Sequence, residues 1–238
     1  PTTEIYTLSL HDALPIWGSR HMTPTSKRAR ITGFLYLLLV FFGPLRLIYI
    51  PNTLFVHGDA TATAANIMAH QTLFQSGIFC DLWGGVTLVL VSVAFWQLFK
   101  DVDRIQAMLL VIFGGVLQAA VYFFNVMNDE AALMLVRGGS DYLSVFTEPQ
   151  RDALAYLFTR LHFQVILGAE ILWGIWLFPM AILTLKSRYF PRFLAWWLIA
   201  NGLFYLLLSF TGFYFFDRLD TIANYGFPLQ FGEVAFIL

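Results

Sequence analysis

Apolar residues gather into long runs separated by brief polar punctuation. Five runs are plain: residues 31–50, 72–99, 105–127 (extensible to 136), 153–185 and 193–216. A sixth begins near Phe227 and stops at Leu238, about twelve residues later. A helix needs about 20 predominantly apolar residues to cross the hydrocarbon core of a bilayer. The first five runs therefore predict spanning helices, and the sixth predicts a last helix cut short. Runs longer than this permit tilt or an extra-membrane turn without fixing an angle. Gly43-Pro44 breaks the first run, because proline cannot donate in a helical ladder.

The connectors differ in length. Residues 100–104 and 186–192 are tight turns, whereas 51–71, 137–152 and 217–226 are longer. Tight turns join antiparallel neighbours, so helices two and three pair, as do four and five. Pro191 sits where a helix start is expected. Residues 59–71, DATATAANIMAHQ, are helix-permissive. Asp59 can cap them by accepting from free N–H groups, which predicts a short interfacial helix leading into helix two. Gly138-Gly139-Ser140-Asp141 is a loop signal. The Trp196-Trp197 pair lies near one helix end, where indoles favour the headgroup region.

Composition agrees with this pattern. The 238 residues are 58% hydrophobic, 18% aromatic and 12% charged, with mean hydropathy +0.69. A soluble domain carries about 25% charged residues, so the class is an all-α multi-pass transmembrane bundle of six segments. Net charge is −1, which leaves no basic footprint for nucleic acid; the lipid bilayer is the expected partner. The single cysteine, Cys80, cannot form an intrachain disulfide and reads as a small buried hydrophobe.

Residues 1–21 stand apart. They lack the basic and apolar regions of a signal peptide. TTEIYTLSLHDALPI resembles translated sequencing-adapter read-through, and GSRHM resembles a cloning scar. Met22 is the expected native start, with 22–238 a single transmembrane domain after a non-native leader at 1–21. Setting the leader aside removes Glu4, Asp12 and Arg20 and leaves 13 acids against 13 bases; His11 and His21 leave the site argument with them.

Charge then orients the bundle. Lys27, Arg28, Arg30, Lys100, Arg104, Lys186, Arg188 and Arg192 gather at one side, against Arg137, Arg151, Arg160 and Arg218 at the other. The positive-inside rule puts the N-terminus and both tight turns in the cytoplasm. The long loops then lie outside with most of the acids, Asp129 among them.

Ionisable residues inside the runs carry the functional information. An intramembrane charge costs about 2.5–3.5 kcal/mol on insertion scales, so those present face the bundle interior and find partners. The candidates for a cavity or ligand site are Arg46, Asp81, Gln118, Asn125, His162, Glu170 and Glu233. Gly114, Gln118, Tyr122, Asn125 and Asp129 form one polar stripe at about 100° per residue. Asp81, His162 and Glu233 fall about 9–15 Å from the outer helix ends, and Arg46 and Asn125 fall in the last turns of their helices. These side chains gather in the outer half of the bilayer, which suggests a polar cavity open to the extracytoplasmic side. Each also has a structural reading. Arg46 can neutralise Asp81 or Glu233, or reach outward to the interface. His162 can be a hydrogen-bonded core residue, and the stripe can serve interhelical hydrogen bonds. His70 sits at headgroup level and His57 in a solvated loop.

No Walker, G-x-G-x-x-G, H-E-x-x-H or G-x-S-x-G motif occurs, and no cofactor is indicated. Asp81, His162 and Glu170, with His70, could supply a zinc site from several helices, but no element carries the close ligand spacing such sites favour. His70 and His162 differ in depth, which disfavours a bis-histidine haem.

RITGFLYLLLVFFGPLRLIYI followed by GDATATAANIMAHQTLFQSGIFCDL, then RLHFQVILG, FPRFLAWWLIANGLFYLL and the terminal GEVAFIL, together resemble the family called domain of unknown function 4386. The resemblance covers residues 30–238. It implies six transmembrane helices in a bacterial inner membrane and no known activity. In that pattern GEVAFIL continues through further apolar residues, in keeping with a cut-short last helix. Asp59, Asn66, His70, Asp81, His162 and Glu233 match its motif positions.

Two function classes follow. The first is a non-enzymatic protein whose outward-facing cavity binds or passes a small solute, or serves a partner protein. The second is an intramembrane enzyme, metal-assisted and hydrolase-like, using Asp81, His162 and Glu170. A third reading makes the bundle a structural subunit of a membrane oligomer, with Trp173 and Trp176 at the interface. Convergence of the carboxylates and His162 around a pocket would favour a site; Arg46 paired with the acids under closed helices would favour a structural role.

Overall fold

A computed structural model describes residues 24–139 and 141–237; the leader read at 1–21 lies outside the described residues. The order of elements is α1 (Ser26–Leu54), α2 (Ala60–Ala69), α3 (Gln71–Phe99), α4 (Arg104–Arg137), α5 (Glu148–Ser187), α6 (Arg192–Tyr214) and α7 (Leu219–Ile237). No strand occurs among the described residues. Helices satisfy their backbone polar groups internally, which is what lets them cross hydrocarbon. Five of them, α1, α3, α4, α5 and α6, are long and apolar enough to do so. The sixth segment, α7, has 19 residues and carries Asp220, Asn224, Gln230 and Glu233. Its composition is less apolar than that of the other five, so the count of six spans rests on the sequence pattern alone.

Local chemistry explains most boundaries. Asp59 caps α2, its carboxylate accepting from the Ala62 N–H at 2.8 Å, so the short helix expected before α3 is present. Asn66 holds α2 to the end of α1 by donating to the Leu54 carbonyl at 3.2 Å. His70 is the exposed joint between α2 and α3. Asp103 caps α4 by accepting from the Ile105 and Gln106 N–H groups, both at 3.1 Å, and pairs with Lys186 at 2.6 Å. The Lys186 hydrogen bond and those backbone donors hold its carboxyl below the usual range. Thr147 and Gln150 form a reciprocal capping box at the start of α5. Gly138 and Gly139 turn the chain after α4 with φ of 59° and 78°, a region open to glycine at little cost.

Three expectations need correction. Gly43-Pro44 does not break the first helix. A π-turn, Leu45–Tyr49, follows directly and the helix runs on to Leu54. The wider turn absorbs the hydrogen bond and the space that Pro44 denies to the regular ladder. The segment 217–226 is not a long loop, because α7 begins at Leu219 after one 3₁₀ turn, Phe216–Arg218. Arg46 and Asn125 do not occupy last turns. Helix α1 continues eight residues past Arg46 and α4 twelve past Asn125, so both lie deeper than the apolar runs implied. Polar residues inside a helix end hid these extensions.

The helices pack as an antiparallel bundle. Helix α5 lies along α4 and α6, α3 lies against α1 and α4, and α7 packs mainly on α6. The pairs expected from the tight turns sit at one end, where Arg28 donates to the Gln97 carbonyl at 3.2 Å and Lys186 meets Asp103. The eight basic residues grouped by sequence therefore share that end. Two buried apolar clusters hold the bundle. One contains Phe95, Phe99, Leu110, Trp176 and Leu198, and the other Ile50, Leu54, Ile67, Phe74 and Leu133. Large apolar side chains such as Phe34, Phe41 and Phe124 point outward, 62–74% exposed. Such a surface suits lipid and would aggregate in water.

Helices α5 and α6 meet backbone to backbone at Gly174 and Gly202. A Cβ on Gly174 would lie 2.6 Å from the Gly202 carbonyl oxygen, and one on Gly202 would lie 2.9 Å from that of Gly174. Small residues permit this approach, which is how helices associate within lipid. Gly174→Ala and Gly202→Ala are expected to destabilise the fold by about 1–3 kcal/mol through overpacking. At Gly43 a Cβ meets nothing within 4 Å, so Gly43→Ala is expected to be neutral or to stabilise by up to about 1 kcal/mol. Reversible unfolding in mixed micelles compares the three.

Candidate functional site

The π-turn in α1 aims Arg46 into the bundle, where three other helices supply its partners. Arg46 Nε donates to Asp81 Oδ2 of α3 at 2.8 Å. Its Nη2 donates to Asp129 Oδ2 of α4 and meets His162 Nε2 of α5 at 2.7 Å. Arg46, Asp81, Asp129 and His162 are each at most 7% exposed. A guanidinium only donates, so the imidazole nitrogen facing it must accept. Nε2 is the nearer of the two ring nitrogens to the guanidinium; Nδ1 lies 3.2 Å from the same Nη2 and 3.3 Å from Asp129 Oδ2. Asn125 fixes the backbone beside this ring, its Nδ2 donating to the His162 carbonyl at 3.2 Å.

Geometry resolves the alternatives left by sequence. Arg46 pairs with Asp81, not with Glu233, and does not reach outward. Glu233 instead accepts from two phenols, Tyr36 at 2.8 Å on Oε1 and Tyr205 at 3.1 Å on Oε2. Glu170 does not join Asp81 and His162. Its Oε2 is buried with no hydrogen-bond partner among the described residues. Gln118 is buried and donates to the Leu172 carbonyl at 3.5 Å, so the stripe on α4 does serve interhelical contacts. The end of the apolar run at Met127 puts Asp129 among the outer loop acids, whereas helical spacing puts it on the inward stripe. It is 1% exposed and central to the cluster. The helical spacing of the stripe was the signal for it. Tyr36 and Tyr205 gave no signal, since an aromatic residue in an apolar run reads equally well as lipid-facing.

Asp81, Asp129 and His162 each offer a ligand atom, all within 4.8 Å of one another. Two oxygens and an imidazole nitrogen are a zinc-compatible donor set. Yet the cation they surround is the protein's own guanidinium, bonded to all three.

Next to the cluster is a cavity of about 350 Å³ between α1, α3, α4, α5, α6 and α7. Arg46 and Asp81 stand on one part of its wall, Glu233, Tyr36 and Tyr205 on another, and Tyr122, Trp173 and Trp176 line it as well. The most exposed of its lining residues are on α1 and α7, where Leu47, Ile48, Phe227 and Phe231 are 45–54% exposed. Trp176 packs edge-on against Tyr36, with centroids 5.6 Å apart, and lies over Gly114, where a Cβ would overlap the indole.

Membrane-length apolar helices around a buried ionic cluster define an integral membrane helical bundle. The chain belongs to the family described as Domain of unknown function (DUF4386), whose model matches residues 31–238. No curated protein and no solved structure matches it. Of the family-motif residues noted in the sequence, Asp59 and Asn66 shape the α2 region, and Asp81, His162 and Glu233 line or flank the polar interior.

Removing one member of a buried ionic group strands the others, at a cost of about 3–5 kcal/mol, whereas removing the whole group is often neutral. Arg46→Met is expected to destabilise by that amount. Arg46→Met combined with Asp81→Asn and Asp129→Asn is expected to recover most of it in the same unfolding assay. Arg46→Ala, with the internal cation gone, is expected to retain Zn²⁺ through purification where the parent does not, as read by elemental analysis.

Proposed function

We propose that this protein is a binding or carrier protein, which takes a small solute with an apolar body into the cavity beside Arg46 and Asp81. The observation that carries this reading is the cavity itself: about 350 Å³, largely apolar and aromatic, with a few convergent polar groups. That is the general character of a small-molecule site. An open side flanked by exposed apolar residues at membrane depth supports loading from the bilayer.

The enzyme reading is weaker. Asp81 and Asp129 both accept from Arg46, and Glu170 stands apart, so no carboxylate is poised beside His162 as a free general base. Grouping of the basic residues at one end supports the N-terminus and both tight turns in the cytoplasm.

Cys80 is the only cysteine and lies on the cavity wall, so its alkylation reads occupancy. N-ethylmaleimide, which enters bilayers, is expected to modify Cys80 in native membranes. Saturation with 1-naphthalenemethanol is expected to slow the reaction about tenfold at ten times its dissociation constant. Cys80 inert in the folded protein, or a rate no solute changes, counts against a binding cavity. In a Cys80→Ala background, Ser187→Cys is expected to react with a membrane-impermeant maleimide only from the cytoplasmic face.

A further inference from the structure

The charges around the cavity do not balance. Arg46 is the one cation in the ionic cluster, and Asp81 and Asp129 both accept from it. Asp81 and Glu233 are the two carboxylates that line the cavity, and Glu233 forms no ion pair with a described lysine or arginine. One guanidinium thus stands against four carboxylates inside the apolar bundle, Asp81, Asp129, Glu170 and Glu233. The two phenols on Glu233 reach one oxygen each. An ionised carboxylate accepts only, and one phenol donor on each oxygen is a pairing that suits it. Tyr36 and Tyr205 are therefore arranged to hold a negative charge at a fixed point on the wall, on helices α1, α6 and α7.

Around that point the wall is aromatic. Tyr36, Trp173, Trp176, Tyr205, Phe227 and Phe231 all line the cavity. Aromatic faces attract a cation within about 6 Å of the ring centroid, more strongly when water is excluded. An anion would find no such welcome, because the charge of Arg46 is already balanced by two carboxylates. With a neutral solute Glu233 has no counter-charge, and a buried carboxyl in that position takes up a proton, whereas a cation keeps it ionised.

We infer that the ligand of this cavity is a lipophilic cation, an organic ammonium or other onium ion with an aromatic or alkyl body, held with its charge against Glu233 and its body among the aromatic rings. This rests on the reading that the cavity binds a solute, and adds to it the sign of the charge and the residue that receives it. The apolar rim between α1 and α7 requires the body to be lipophilic, since the ion arrives through lipid.

Tetraphenylphosphonium and tetraphenylborate have nearly the same shape and opposite charge. Equilibrium binding of each to the whole chain in nanodiscs, with partition into empty nanodiscs subtracted, isolates the effect of sign. The expected result is saturable binding of tetraphenylphosphonium at one per chain and none of tetraphenylborate. Glu233→Gln is expected to weaken the cation by about thirtyfold or more, the loss when a desolvated charge loses its partner. Tyr205→Phe, which keeps the carboxylate, is expected to keep the preference for the cation. Equal binding of the two ions by the parent protein, or a Glu233→Gln chain that binds the cation as well as its parent, overturns the inference. The comparison of ions in the parent stands even where Glu233→Gln fails to fold. Protection of Cys80 by 1-naphthalenemethanol without cation preference leaves the cavity reading intact and removes this one. Neither ion binding, together with no protection of Cys80, removes both.

Discussion

Arg46 is a permanent charge in an environment that cannot solvate it. Guanidinium does not deprotonate in proteins, so unlike a carboxyl or an imidazole it cannot escape burial by becoming neutral. The chain must bring acceptors to it, and it does so from three other helices: Asp81 on α3, Asp129 on α4 and His162 on α5. On α1, α3 and α5 these residues fall between the stretches that supply the two apolar clusters. The ionic group therefore fixes the mutual rotation and height of α1, α3, α4 and α5. Van der Waals packing in lipid is permissive about both.

That constraint reaches further than stability. Pro44 and the π-turn after it set the direction in which Arg46 leaves α1. A second π-turn, Val111–Leu117, carries Gly114 and Gly115. Through them α4 accommodates the Trp176 indole and the Ser92 side chain at close range. Irregular turns of this kind are found inside helices at functional sites, and both occur on helices that line the cavity. One side of the cavity is thereby shaped by the ionic cluster and the other by the phenol-held carboxylate of Glu233. Arg46 and Glu233 each have their hydrogen-bond partners, and the space between them is largely aromatic.

The parts of the site that were legible in sequence are those where chemistry is costly in lipid. Arg46, Asp81, His162 and Glu233 stood out because a charge or imidazole in an apolar run has to be explained. Asn125 and Gln118 stood out through their spacing. Asp129 falls just beyond the end of an apolar run, so run length puts it with the loop acids while helical phase puts it on the inward stripe, and its burial agrees with the phase. Glu170 and His162 lie on the same helix and enter the enzyme reading together with Asp81. Sharing a broad face of one helix does not decide which neighbour each side chain meets. Tyr36 and Tyr205 were invisible, since a phenol is apolar enough to belong in the run and polar enough to serve a carboxylate.

Class, the principal spans, the cap at Asp59, the short helix after it and the common end of the basic residues were all determined by sequence alone. Each depends on local composition: hydrophobic length against bilayer thickness, a side-chain acceptor beside free N–H groups, and the count of basic residues in each turn. Partner choice was decided only by tertiary structure. Arg46 had Asp81 and Glu233 as formal options, and the packing of α1 on α3 gave it the first while the packing of α6 and α7 took the second for Tyr36 and Tyr205. The cavity is likewise a property of six helices at once. It exists because side chains distant in sequence leave a space at the same depth, and no linear pattern records which faces will meet.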